Sequence, residues 1–368
     1  MNIRQMKSAI AKFRKADMSM IKDEKLRAKG KMLQAKEKGF TLLELLVVIT
    51  LLAILATGAL VAYDGAGEKA QSSKTANTIA VLDQGVRAYR AVSQAYPNQW
   101  DNLADPVNAN APMMGADTPI NDDLQEILGS FDLAASLSAN LGFDLEDYFE
   151  DNFGMDEIQH VFGNGVGING VVEPNRLHNE GTNPPDASGN GAIETEYSDF
   201  GAGDLAGGVP QYISIMSSVA FERGTNNPMN CTAGTVDISN NWATGAVGGG
   251  DPRVINSIND ALSTERCNLV LALGFGGDAA QSTVDSAAGV IQAPTYSSAE
   301  VNPAESYARY VGLFLLAKGP KSGGDDAVPV ARATNLEESD FLARPRLLGF
   351  IDTEGKTIDA NIAAATQD

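Results

Sequence analysis

From Phe40 to Ala62 the chain reads FTLLELLVVITLLAILATGALVA, an apolar run in which Glu44 is the one ionisable side chain. As a helix this run reaches ~35 Å at ~1.5 Å per residue, enough to cross a bilayer core of about 30 Å. Between 64 and 93 the pattern changes. Ile79, Leu82, Val86, Tyr89 and Val92 recur at three- and four-residue steps, while Lys74, Asp83 and Arg87 fall off that stripe. A single apolar stripe predicts a helix resting on a globular head. Tyr96-Pro97 ends it in this reading, because proline lacks an amide hydrogen and disfavours helical geometry in the residue before it. Phe40 to about Val92 would then form one helix of ~80 Å. Gly58 is a point of softening within it, since glycine in a helix costs about 1 kcal/mol relative to alanine.

Beyond residue 94 the periodicity is mixed, and the stretch 94–368 is long enough for one large core or two smaller ones. Leu124 to Leu128, Leu133 to Leu141 and Leu145 to Phe149 read as short helices. Asp144, Glu146, Asp147, Glu150, Asp151, Asp156 and Glu157 make that region acidic. Residues 163 to 210 hold eleven glycines, six asparagines and Pro184-Pro185, the chemistry of an exposed excursion. Gln211 to Glu222 reads as a strand, Asp251-Pro252 as a helix start, and Asn268 to Phe275 as a buried strand. Tyr307 to Ala317 fits either helix or strand. Arg346 to Asp352 and Lys356 to Ile362, flanking Thr353-Glu354-Gly355, predict a C-terminal hairpin. The expected fold class is α+β: a long N-terminal helix, half transmembrane and half amphipathic, packed on a head with an antiparallel sheet.

Charge gives the chain a direction. Residues 1–39 carry twelve Lys and Arg against Asp17, Asp23, Glu24 and Glu37, a net +8. Basic residues flanking a span stay in the cytoplasm, so residues 94–368 should lie outside it. A secretory signal has a shorter apolar region, about 7 to 15 residues, with its cut after that region. Here the marked junction precedes the apolar run. Taking the leader's +8 from the chain's −20 leaves −28, from 15 basic and 43 acidic residues. Such a surface repels phosphate backbones and argues against a nucleic-acid partner, which would need a local basic patch. Lys318, Lys321, Arg344 and Arg346 are the nearest approach to a basic patch in the head.

Glu44 stands beside that junction. A carboxylate in a spanning helix is disfavoured by a few kcal/mol and usually has a partner. Its place in the first turn, where the helix dipole favours an anion by roughly 0.3 to 1 kcal/mol, accounts for tolerance but not for its proximity to Gly39-Phe40. A cut after Gly39 would leave Phe40 with a free amine about one turn from Glu44. That amine can meet the Glu44 carboxylate of a neighbouring copy and set the stagger between identical helices.

Lys38-Gly39-Phe40-Thr41-Leu42-Leu43-Glu44 and the apolar helix after it resemble the class III leader of type IV prepilins and type II secretion pseudopilins. The resemblance covers residues 38 to about 62 closely and extends to about 93. It implies that a prepilin peptidase cuts between Gly39 and Phe40 and methylates Phe40, that Glu44 serves assembly, and that the helices form a filament core. Copies of the chain or related pilins, the peptidase and an inner-membrane assembly platform would be its partners. The chain would begin as a single-pass inner-membrane precursor and end in an extracellular or periplasmic filament, a pilus (fimbrium) or a secretion pseudopilus. The leader, 1–39, is long for that family, and the helix lacks the proline many pilins have midway. Tyr96-Pro97, with Trp100 and Leu103, is similar to the segment after the long helix in some major pseudopilins. A monomeric membrane-tethered protein that binds a ligand at the cell surface is the alternative reading.

Cys231 and Cys267 would fold outside the cytoplasm, where disulfides persist, and many pilins staple a C-terminal loop with one disulfide. Two buried free thiols are the other possibility. Asn230-Cys231-Thr232 fits a glycosylation triplet. His160 and His178 are the two histidines of the chain, too few for a multi-histidine zinc site, and no Ser-His-Asp arrangement stands out. Gly165-Val166-Gly167 and Gly274-Phe275-Gly276-Gly277 read as turns, and no enzyme is expected. Calcium takes several oxygen ligands from acidic loops, and some pseudopilins hold one in the head. Asp199 with Asp204 is the first candidate, followed by Asp122 with Asp123 and Asp325 with Asp326. A solvated loop is the simpler account of each.

Overall fold

The lysine-rich leader is broken at two aspartates, and each break is a cap. The computed structural model describes residues 3–35, 42–104, 120–132, 148–155, 157–160, 196–198, 212–216, 220–221, 228–229, 231–233, 236–238, 266–303, 307–320 and 335–366. Helix α1 (Ile3–Lys15) is followed by a 3₁₀ turn at Met18–Met20 and helix α2 (Glu24–Ala35). Asp17 accepts from the Ser19 amide at 2.9 Å, and Asp23 accepts from Lys25 and Leu26 at 2.9 and 3.3 Å. Met18 is buried, its sulfur lying over the bare Cα of Gly30.

Helix α3 runs without interruption over Leu42–Ser93, as a stretch free of proline permits. The chain divides into two compact units, Met1–Gly67 and Glu68–Asp368, and α3 contributes to both. In the second unit Ile79, Leu82 and Val86 are buried in the main core. Tyr89 is half-buried and Val92 is exposed, so the apolar stripe ends earlier than its spacing predicts. The helix also stops before Tyr96-Pro97. Gln94 takes a left-handed φ of 62° while its amide still reaches the Arg90 carbonyl at 2.9 Å, closing the last turn.

The strands and helices that follow are β1 (Trp100–Asn102), α4 (Asp122–Ile127), β2 (Leu128–Asp132), β3 (Glu157–His160), β4 (Glu196–Ser198), β5 (Tyr212–Met216), β6 (Ala220–Phe221), β7 (Pro228–Met229), β8 (Thr232–Ala233) and β9 (Val236–Asp237). The chain then forms β10 (Asn268–Gly274), α5 (Gly277–Gln281), β11 (Val311–Lys318), β12 (Asn335–Leu336), β13 (Phe341–Ile351) and α6 (Ile358–Thr366). The main sheet has the order β13-β11-β10-β1-β3-β4, with β5 also on β10 and β2 on β5. Its pairings are antiparallel except β1 with β3.

The sheet forks along β10. Leu273 and Gly274 pair with β1, whereas Val270 and Leu271 pair with β5. At the fork, backbone groups need side-chain partners. Buried Ser214 and Asn102 supply them: the Ser214 hydroxyl donates to the Ala272 carbonyl at 2.6 Å, and Asn102 Oδ1 accepts from the Ser214 amide at 3.0 Å. Next to it Trp100, fully buried, packs against Phe275 at 5.1 Å and Phe314 at 5.0 Å between ring centroids. Edge-on aromatic pairs of this kind add about 0.5 to 1.5 kcal/mol beyond burial.

Several expectations are corrected. The C-terminal hairpin is absent: β13 ends at Ile351, and α6 occupies most of the segment expected as a second strand. Asp352 turns the chain by accepting from the Glu354 and Lys356 amides at 3.0 and 2.9 Å and from the Asn361 side chain at 2.8 Å. Gly355 takes the positive φ that the turn needs, and the Thr357 hydroxyl accepts from the Ala360 amide at 3.3 Å to start the helix. Within Gln211 to Glu222 the described residues form β5 and β6, with 217–219 outside them, and the ambiguous Tyr307 to Ala317 segment supplies β11. Leu124 to Leu128 is α4 running straight into β2, and Tyr148–Phe153 is a π-helical turn. The expected helix over Leu133 to Leu141 and the helix start at Asp251-Pro252 lie outside the described residues, as does most of the 163–210 excursion, of which Glu196–Ser198 forms β4.

Candidate assembly helix

The first half of α3 has an unusual surface for any folded chain. Every residue from Leu42 to Leu60 is exposed, including Leu42, Leu45, Val48, Leu52 and Leu55. Contiguous apolar surface on this scale belongs against lipid or another apolar surface. This helix is long and apolar enough to cross a membrane. Its polar groups are already adapted to such surroundings: the Thr50 hydroxyl donates to the Val47 carbonyl at 2.9 Å, and Thr57 donates to Ala53 at 2.8 Å. Both hydroxyls are satisfied inside their own helix, so neither needs water.

Glu44 lies in the first described turn and is exposed, which is where an N-terminal dipole favours a carboxylate. Gly39 and Phe40 lie outside the described residues. The structure thus places Glu44 at the start of the apolar surface and leaves the junction to the sequence.

On the head, the second half of α3 is tied to the edge of the sheet. Arg87, held by Asp83 at 2.7 Å, donates to the Leu347 and Leu348 carbonyls at 3.2 and 3.5 Å. The Tyr96 hydroxyl accepts from the Leu347 amide at 2.8 Å and donates to the Pro345 carbonyl at 3.1 Å, while the Tyr148 hydroxyl donates to Leu342 at 2.6 Å. These bonds engage backbone groups of the edge strand β13, and Pro345 removes one donor from it. A strand added along this stretch would have to displace those side chains from the Leu342, Pro345, Leu347 and Leu348 backbone groups. Sequence spacing shows Arg87 and Asp83 as an i, i+4 pair, but nothing local in the sequence reveals their partners in β13.

Cys231 and Cys267 form a disulfide with a Cα separation of 5.6 Å, which settles the choice between a bridge and free thiols. It joins the residue before β8 to the residue before β10 across 36 positions, a closure that stabilises by roughly 3 to 4 kcal/mol in the loop-entropy account. Asp122 and Asp123 are exposed in the first turn of α4 behind the cap Asn121. Among the described residues no group of three or more His, Cys, Asp or Glu is arranged to hold a metal ion. Asp199, Asp204, Asp325 and Asp326 lie outside those residues. His160 ends β3, and Gly277 begins α5 rather than remaining in a turn.

No curated protein and no solved structure matches the chain. Residues 34–60 match the family model described as the prokaryotic N-terminal methylation motif, a stretch that takes in Gly39, Phe40 and Glu44 and is consistent with the class III leader of a type IV pilin or pseudopilin.

Proposed function

We propose that this chain is the precursor of a structural subunit of a type IV pilus or pseudopilus-like filament. A prepilin peptidase cuts between Gly39 and Phe40 and methylates the Phe40 amine. The mature chain then joins the filament through α3, with Glu44 pairing the N-terminus of a neighbouring copy. The leader stays in the cytoplasm and the head lies outside it, a location that suits the Cys231–Cys267 disulfide. The observation that carries this reading is a coincidence of place: the methylation-motif match at 34–60 falls on the start of a helix whose apolar side chains are all exposed up to Leu60.

The pairing has a physical basis. N-methylation retains the positive charge of an amine, so Phe40 keeps a cation after modification. Removing one partner of a buried ion pair leaves an uncompensated charge and costs about 3 to 5 kcal/mol. Glu44→Ala chains should insert, be cut and fold their heads, yet fail to enter filaments. Filament fractions sheared from cells and probed for the head measure this, and normal incorporation would refute the pairing. Mass analysis of the mature N-terminus tests processing, with a chain beginning at methylated Phe40 as the expected result and one retaining Met1 as the contrary one.

A further inference from the structure

The leader carries a surface that a removable signal does not require. In α1, Met6, Ile10 and Phe13 follow one another at three- and four-residue steps and line one side of the helix. Met6 is 49% exposed, Ile10 44% and Phe13 42%. Arg4, Lys7, Lys12 and Lys15 are spread over the rest of the helix, and Ile3–Lys15 contains no acidic residue. A helix with a narrow exposed apolar stripe and a basic remainder matches the interface of an anionic bilayer: the stripe enters the acyl boundary while the cations face headgroup phosphates. The same chain points to a bilayer, since the membrane-length apolar surface of α3 opens at Leu42, and between α1 and Leu42 the described elements are the 3₁₀ turn at Met18–Met20 and α2. From Lys15 to Ala35 the leader is tied by local hydrogen bonds, with Asp17 and Asp23 capping successive turns and the Arg27 guanidinium donating twice to the Ile21 carbonyl.

We propose that α1 is an interfacial helix that lies on the anionic cytoplasmic leaflet and tethers the uncut leader there through Met6, Ile10 and Phe13. This rests on the reading of the chain as a membrane-inserted precursor with its leader in the cytoplasm. The partner is the lipid surface, favoured over nucleic acid because the apolar stripe has no use against a phosphate backbone. The tether holds a long leader flat beside the bilayer, close to the Gly39-Phe40 junction, until the junction is cut.

The test uses the full uncut chain reconstituted in vesicles. Ala9→Cys, on the border of the stripe, carries an environment-sensitive fluorophore, while the native cysteines stay in their disulfide. With about 30% phosphatidylglycerol the dye should shift to the blue and its quenching by neutral acrylamide should fall roughly threefold relative to phosphatidylcholine alone. Ile10→Gln with Phe13→Gln keeps helix propensity and removes the stripe, so it should abolish the shift. Lys7→Gln with Lys12→Gln and Lys15→Gln should weaken it and remove its dependence on anionic lipid. Equal quenching in both vesicle types overturns the proposal, as does a shift of the same size produced by an oligonucleotide in place of anionic lipid. A second fluorophore at Ile54→Cys reports the span independently: an exposed Ile54 position defeats the membrane-spanning reading, while the Ala9 position still decides the tether.

Discussion

Asp101 sits on β1 at 4% exposure, its carboxylate accepting from the Tyr307 hydroxyl at 2.8 Å. Gly276 passes so close that any side chain there would meet the carboxylate. Burial pushes the Asp101 carboxyl up to about 7, against the Tyr307 hydrogen bond and the positive charge of Arg309, both of which lower it; nearby Asp278 raises it further. An unfolded aspartate titrates near ~3.9, so between that pH and about 7 the folded chain holds a proton that the unfolded chain releases. The unfolded state then binds fewer protons, and stability falls as pH rises through the window, by at most about 1.4 kcal/mol per pH unit from this one group. Above it the contribution is constant. Asp101→Asn keeps an oxygen for Tyr307 and carries no charge. Denaturant unfolding of the variant should show a flatter profile between about pH 4 and 7 and a head more stable than wild type at pH 8. An unchanged slope in that window would assign the pH dependence to other groups.

At the scale of elements, α3 carries two surfaces, and burial separates them. Leu82 is 2% exposed in the core beneath the helix, whereas Val92, further along, is 61% exposed. Leu82→Ala should destabilise the head by about 2 to 5 kcal/mol through lost burial and a cavity. Val92→Ala should change stability by no more than about 0.5 kcal/mol, and thermal unfolding of both variants measures the contrast. An equal loss at both positions would mean that Val92 belongs to the core after all. The long helix and the strand Asn268–Gly274 were legible in the sequence because an unbroken apolar run and a three-to-four periodicity each have few structural solutions. The fork in β10 was not, because Ser214 and Asn102 are polar residues whose value lies in backbone groups distant in sequence. The C-terminal hairpin misled for a related reason. Thr353-Glu354-Gly355 does form a turn, but Asp352 reaches forward to Asn361, and Thr357 with three consecutive alanines at 363–365 favours a helix over a second strand. Of the candidate assembly helix, the long exposed apolar surface and the place of Glu44 in its first turn were readable from composition and position. The hydrogen bonds from Arg87, Tyr96 and Tyr148 to β13 required the fold.

For the molecule as a whole, removal of residues 1–39 changes the net charge from −20 to −28 and discards twelve cationic side chains with four anionic ones. Copies brought together through α3 would each present a strongly acidic head to the next. Their repulsion is long-ranged at low salt, with a screening length of about 30 Å at 0.01 M, and short-ranged at about 10 Å in 0.1 M. The proposed Glu44–amine pair inside an apolar core would be screened far less, because solvent ions would not reach it. Filament yield should accordingly rise as NaCl is raised from about 10 mM to about 200 mM, the direction expected when head repulsion opposes an apolar, salt-insensitive helix contact. Sedimentation of purified mature subunits over that range measures it. The opposite trend, filaments dissolving as salt rises, would mean that complementary ion pairs between heads hold the copies together, and the acidic surface would then have to face a basic patch on its neighbour.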